Sequence, residues 1–266
     1  MGTIAFTIGG APLYLYGTAA SVALLAALLI TWWSTWLYDE PFPYAFDVFL
    51  WGIPLGLVGA RLVHVVTHAS LYLSDPLAVL RFWEGGFSFY GSALGFLLAL
   101  FIVSSREDFP FLLWLDVIAP AVMLLIATYS FTTFIMQQTV GTPMMFATPD
   151  DQTLAEYVEF QYRPSGFENY EYFMPIALYQ TAALIVLLVI TLIMTVPEAH
   201  STMFEHGGLF FIAVGLSSLI HFVAGYFYLS TNSGIHPGQI VSLVIAVLCL
   251  LLFLKYGRRQ KRGLWR

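Results

Sequence analysis

Arg61 stands inside a long apolar run, and the stretch Arg81-Phe82-Trp83-Glu84-Gly85-Gly86-Phe87-Ser88-Phe89-Tyr90-Gly91 leads into the next one. Charged groups are costly in hydrocarbon, so those found there line a partly wet cavity or pair with one another. A guanidinium presents a planar fork of donors that suits a phosphate or a carboxylate. Arg61 and Arg81 are therefore candidates to hold a phospholipid headgroup. The alternatives are pairing with Glu84 or Asp116, or reaching to the interface for the sake of the fold alone. Asp116 heads a further apolar run, where it can cap a helix or serve as a buried structural partner. His64 and His68, four residues apart, share one helical face. That spacing suits a metal or an axial haem ligand, with His221 and His236 as further donors. Two histidines alone leave a metal short of ligands, and the plainer reading is a pair of interfacial rings bonded to backbone or lipid.

The elements that must position these groups are membrane spans. Hydrophobic residues make up 59% of the 266-residue chain, charged residues only 10%, and the mean hydropathy is +0.80. An ordinary soluble domain carries about 25% charged residues. Spans of roughly 17–25 apolar residues are needed to cross the hydrocarbon. We place seven, at Tyr14–Tyr38, Asp47–His68, Phe87–Ser104, Phe111–Met136, Pro175–Val196, Gly208–Leu229 and Pro237–Tyr256. Six of the ten Lys and Arg residues fall within 255–266, which orients that tail toward the cytoplasm and the N-terminus toward the exterior or periplasm. This charge pattern speaks for membrane orientation and against nucleic-acid binding. The one cysteine, Cys249, excludes a disulfide framework within the chain, and nothing near Met1 reads as a cleaved signal peptide. The expected organisation is a single membrane domain over 1–266 with one exterior insertion, residues 142–173. That segment combines Asp150, Asp151, Glu156, Glu159, Glu168 and Glu171 with Arg163 and many aromatic rings. It reads as an interfacial cap or as a docking surface for other membrane protein subunits.

The stretch from Arg81 to Gly91 resembles the signature of the prolipoprotein diacylglyceryl transferase family, whose members move diacylglycerol from phosphatidylglycerol onto a lipoprotein cysteine. Further blocks are similar in the same order. Leu15-Tyr16-Gly17 opens the first span, with Tyr16 placed to touch a lipid headgroup. Gly59-Ala60-Arg61, Asp75-Pro76, Asp116-Val117-Ile118-Ala119-Pro120 and Pro237-Gly238-Gln239-Ile240-Val241-Ser242 follow. The resemblance covers most of the chain. It implies an all-α, seven-helix protein of the bacterial inner membrane, with Tyr16, Arg61, Arg81 and Tyr90 at the lipid and Glu84, Asp116 and Gln239 as structural polar residues.

The departures are concentrated where the family does its chemistry. Tyr90 stands in place of a histidine. In the register of the family's strongest signature, Ser130 replaces an arginine, Thr133 and Met136 replace asparagines, and Gln138 replaces a glutamate. Gln180 replaces another glutamate, Ser218 an arginine, Phe222 a glutamate, and Gly225 a further arginine. A departing glycerol phosphate needs cationic donors, and an attacking thiol needs a base. The sequence therefore leads us to expect no catalytic residues and no cofactor. It points to a degenerate homologue that binds phospholipid or scaffolds a membrane complex. An active diacylglyceryl transferase is the alternative, and a haem- or metal-binding subunit of an electron-transfer complex, resting on His64 and His68, is a third.

Overall fold

The computed structural model describes residues 4–8, 11–73, 75–82, 85–107, 109–145, 155–196, 204–229 and 237–257, with side chains described from Gly17 onward. Eight α-helices carry the described chain: α1 Leu15–Leu37, α2 Phe42–Thr67, α3 Ala69–Leu73, α4 Phe89–Arg106, α5 Phe111–Ile135, α6 Ile176–Thr195, α7 Gly208–Ala224 and α8 Pro237–Leu252. Six of them are long and apolar enough to cross a bilayer, and α7, the remaining expected span, is shorter. Their outward faces carry Leu25, Trp36, Leu62, Ile190 and Leu251, as a lipid-facing surface must. The helix α2 starts at Phe42, ahead of the expected Asp47. Proline is well placed in a helix's first turn, where its missing N–H has no partner to lose. The Pro41-Phe42-Pro43 turn thus initiates the helix instead of standing apart from it.

No boundary is visible in the sequence, yet the chain packs as two compact units, residues 31–115 and residues 1–30 with 116–266. In the first unit the α2–α4 seam is built from glycine. A Cβ on Gly91 would run into the Gly59 carbonyl, and one on Gly95 into the Leu55 carbonyl; one on Gly59 would lie 2.5 Å from the Gly91 carbonyl. Small residues let membrane helices approach backbone to backbone, where dispersion and Cα–H···O contacts hold them. Beside this seam Trp114, fully buried, packs on Phe109 with ring centroids 4.7 Å apart.

In the second unit Met123 of α5, Leu187 of α6 and Ala213 of α7 form a buried cluster. Against α7 lies α8, whose last turn runs on into a π-helical turn, Phe253–Gly257, with Gly257 against Gly208. The extramembrane segment is ordered around a two-residue ladder, β3 Glu156–Tyr157 against β4 Tyr172–Phe173 (β1 Ile4–Ile8 and β2 Ala11–Tyr14 form a separate hairpin). Val140, Val158 and Phe173 are its small core. Gly141 bridges to Tyr228, and any side chain there would strike the Met174 carbonyl. Residues 146–154 of the expected insertion lie outside the described residues.

Candidate functional site

The arginine inside α2 is explained by what surrounds it. Arg61 is only 3% exposed, and all five of its guanidinium N–H groups are directed at backbone carbonyls. Nε donates to Val79 at 3.0 Å, Nη2 to Ala78 at 2.5 Å and Arg81 at 3.1 Å, and Nη1 to Gly85 and to Gly86 at 3.2 Å. The rings of Tyr72 and Phe82 lie 5.3 and 5.9 Å from its carbon. The glycine pair is required here: Gly85 and Gly86 have φ of +82° and +76°, and a Cβ on Gly86 would sit 2.8 Å from Nη1. Arg61 thus ties the loop from Ala78 to Gly86 onto α2. Glu84, one of the partners considered from sequence, lies outside the described residues; the donors of Arg61 are all engaged by carbonyls, without a phosphate. Carbonyl partners leave no mark in a sequence, so this role was not readable there.

Arg81 is half-exposed and makes a 2.7 Å ion pair with Asp75 across the 3₁₀ turn Pro76–Leu80. Tyr90 is partly buried in the first turn of α4, edge-on to Phe89. The rings of His64 and His68 are stacked 4.3 Å apart, with His68 Nδ1 against the Thr67 hydroxyl and the His64 carbonyl. Among the described residues no three His, Cys, Asp or Glu side chains gather closely enough to hold a metal. Glu84, His236 and the Tyr16 side chain lie outside the described residues.

In the unit comprising residues 1–30 and 116–266, Asp116 is fully buried inside α5, with its carboxylate on the start of α7: it accepts from the Gly207 N–H at 2.6 Å and the Phe210 N–H at 2.9 Å. It caps a helix, as the sequence allowed, but not its own. Ser130 is buried, accepting from Thr181 at 3.1 Å and donating to the Ala177 carbonyl, while Thr133 donates to the Ser130 carbonyl at 2.7 Å. Gln138 is exposed, with its amide on the Met136 sulfur. Ser218 is half-buried on α7, and Phe222 stands edge-on to Tyr226. Beside Gly225 the space for a side chain is taken by Gln239, which is buried and donates to the Phe222 carbonyl at 3.4 Å.

One constellation escaped the sequence reading. Gln180 of α6 is buried and accepts a short hydrogen bond from the Tyr228 hydroxyl at Oε1; its Nε2 lies 2.9 Å from Nδ1 of His221 on α7. Gln180 lines a groove of about 410 Å³ between α6 and α7, walled by Ile176, Ala183, Leu219, Val223 and Phe227. Three residues separated by 41 and 48 positions cannot be joined from spacing alone. The one available signal was polar residues inside apolar runs.

These features define a multi-pass, all-α membrane protein, and with the bacterial relatives below they place it in the inner membrane. The comparisons with known proteins narrow that class. The family described as prolipoprotein diacylglyceryl transferase matches residues 3–255, and the chain belongs to that family. Among its relatives is a phosphatidylglycerol–prolipoprotein diacylglyceryl transferase of Lactobacillus acidophilus, 27% identical over 98% of this chain and 92% of the relative. Proteins of the same name from Clostridium novyi and Halalkalibacterium halodurans are each 25% identical, covering 98% and 96% of this chain and 98% and 85% of their own length.

Proposed function

We propose that this chain acts on phosphatidylglycerol, and that its reaction is the one its relatives are named for: transfer of a diacylglyceryl group to a prolipoprotein. The observation that carries this reading is the extent of the family match, residues 3–255, which takes in every described α-helix. In this reaction the acceptor thiolate forms a bond to the glycerol carbon and glycerol phosphate departs with the electron pair. Charge develops on the departing phosphate, so a cation must meet it. Arg61 has its donors committed to the fold. Arg81, half-exposed and held by Asp75, is the cation we assign to the headgroup. The exchange of one carboxylate for a phosphate suits its position at a span end.

A second reading is favoured by one observation. The hydroxyls of Ser130 and Thr133 are engaged within the helix packing, and neither they nor Gln138 can neutralise a phosphate. On that reading the chain binds phospholipid without turnover, as a scaffold subunit whose contact surface includes residues 142–173. The relatives' names lend this degenerate reading no support, nor do they support a haem- or metal-binding subunit.

The deciding experiment uses the purified chain in phosphatidylglycerol-containing nanodiscs with a prolipoprotein peptide. Formation of the diacylglyceryl thioether, at least tenfold weaker in Arg81→Ala, supports transfer. Retention of phosphatidylglycerol with no thioether overturns transfer and leaves the binding reading.

A further inference from the structure

We infer that the segment from Ala69 to Leu80 is an interaction surface for the exterior leaflet of the bilayer, seated at the boundary between headgroups and acyl chains. The first observation is where α4 begins. The Ser88 N–H donates to the Ala60 carbonyl at 3.0 Å, so the start of α4 is level with Ala60 and not with the end of α2. From there α2 runs on to Thr67, a further rise of about 10 Å. The helix lengths agree with this. The 18 residues of α4 rise about 27 Å, close to the roughly 30 Å of hydrocarbon. The 26 residues of α2 rise about 39 Å, close to the roughly 40–45 Å that includes the headgroups. The last two turns of α2 therefore cross the exterior headgroup layer, and the chain after Thr67 has to descend through that layer to reach α4.

Irregular backbone at that depth needs donors, because unpaired carbonyls are costly where water is scarce. Arg61 supplies them. It bonds the carbonyls of Ala78, Val79, Arg81, Gly85 and Gly86 and so holds the returning chain down against α2. The outer surface of the segment is apolar: Leu71, Leu73, Leu77 and Leu80 are 62–81% exposed. Leu77 and Leu80 stand three apart in the 3₁₀ turn, where side chains at that spacing eclipse one another and share a face. The sequence from Ala69 to Phe82 holds two charged residues, Asp75 and Arg81, and they pair with each other. Four bared leucines beside one ion pair make a poor surface for water and suit one lying on lipid. Leu62 and Val66, on the last two turns of α2, are exposed as well, so the leucines continue the surface that the spans present to lipid. That continuity names acyl chains as the occupant, ahead of a second copy or another protein.

The test places a nitroxide on cysteines introduced singly by Leu73→Cys, Leu77→Cys and Leu80→Cys, in a Cys249→Ala chain held in phospholipid nanodiscs. Collision with oxygen, which partitions into lipid, is compared with collision with a water-soluble nickel chelate. Oxygen should exceed nickel severalfold at the three leucine positions, and the reverse should hold at Ser165→Cys, an exposed site in the extramembrane segment. Nickel collision equal to that at Ser165 overturns the inference by placing the leucines in water. Protection from both reagents overturns it by placing them under protein. A second measurement needs no substitution: the wild-type chain is irradiated in nanodiscs doped with a phospholipid that carries a diazirine on an upper acyl carbon. Mass spectrometry should find label within residues 69–80 at a yield comparable to that of the lipid-facing helix α8. Label on α8 with none on 69–80 overturns the inference. Neither measurement reads turnover, so both are independent of the transferase assignment.

Discussion

The carboxylate of Asp116, deep in α5, is the N-terminal cap of α7, reaching the Gly207 and Phe210 amides 91 and 94 residues further along the chain. Those amides are among the donors that a helix start leaves without partners, and the anion also meets the positive end of the helix dipole.

Replacing Asp116 by Ala should cost about 2 kcal/mol or more, since two buried N–H groups lose a charged acceptor. Asp116→Asn, which keeps one acceptor oxygen, should cost less. Thermal unfolding in detergent, followed by exposure of Cys249, which is buried beside Gly215, measures the difference. Equal midpoints for Ala and wild type would refute the capping role.

Arg61→Lys should destabilise the loop from Ala78 to Gly86 nearly as much as Arg61→Ala. An ammonium has three donors on a single atom and cannot span five carbonyls held by a planar fork. Limited proteolysis within that loop should rise severalfold in both variants. A lysine variant as resistant as wild type would show that charge, and not the fork, is what matters.

The insertion should be pH-sensitive through Glu156. Burial pushes its carboxyl up to about 7, and Oε2 has no hydrogen-bond partner among the described residues. A folded-state value above the unfolded one means that the native segment favours the protonated acid. Its contribution is complete below about pH 4.5 and fades as the pH rises through about 7. Hydrogen exchange of the amides in the β3–β4 ladder should quicken between those values, and Glu156→Gln should abolish the dependence. A wild-type profile flat from pH 5 to pH 8, beyond the intrinsic exchange trend, would rule it out.

Gly91→Ala should separate α2 from α4, because the added methyl meets the Gly59 backbone rather than a movable side chain. Overpacking of this kind typically costs about 1–3 kcal/mol. Gly17→Ala, where nothing lies within 4 Å, should be neutral or slightly stabilising. Comparing the two by thermal unfolding separates contact from helix propensity.

What the sequence disclosed follows from the physics of each feature. The spans were legible because hydrocarbon demands uninterrupted apolar runs; their ends missed by five residues at Phe42, where Pro41 and Pro43 start α2 early, and at Ala224, where α7 stops short of the expected Leu229. The importance of Asp116 was legible from its type and place, but its partner was not, since a backbone amide 91 residues away carries no signature. Arg81 makes an ion pair with Asp75, six residues upstream, a partner that the sequence reading did not consider. The Gln180–His221–Tyr228 relay depends on two helices and a turn meeting, and contacts of that range cannot be read from periodicity.

The length of α7 has a consequence for the membrane itself. Its 17 residues rise about 25 Å at 1.5 Å per residue, short of the roughly 30 Å of a typical hydrocarbon layer. A span too short for the layer is accommodated by local thinning or by its flanking residues, at a cost of fractions of a kcal/mol per ångström. Around α7 the lipid layer is accordingly expected to thin, beside the face that carries Leu219 and Val223.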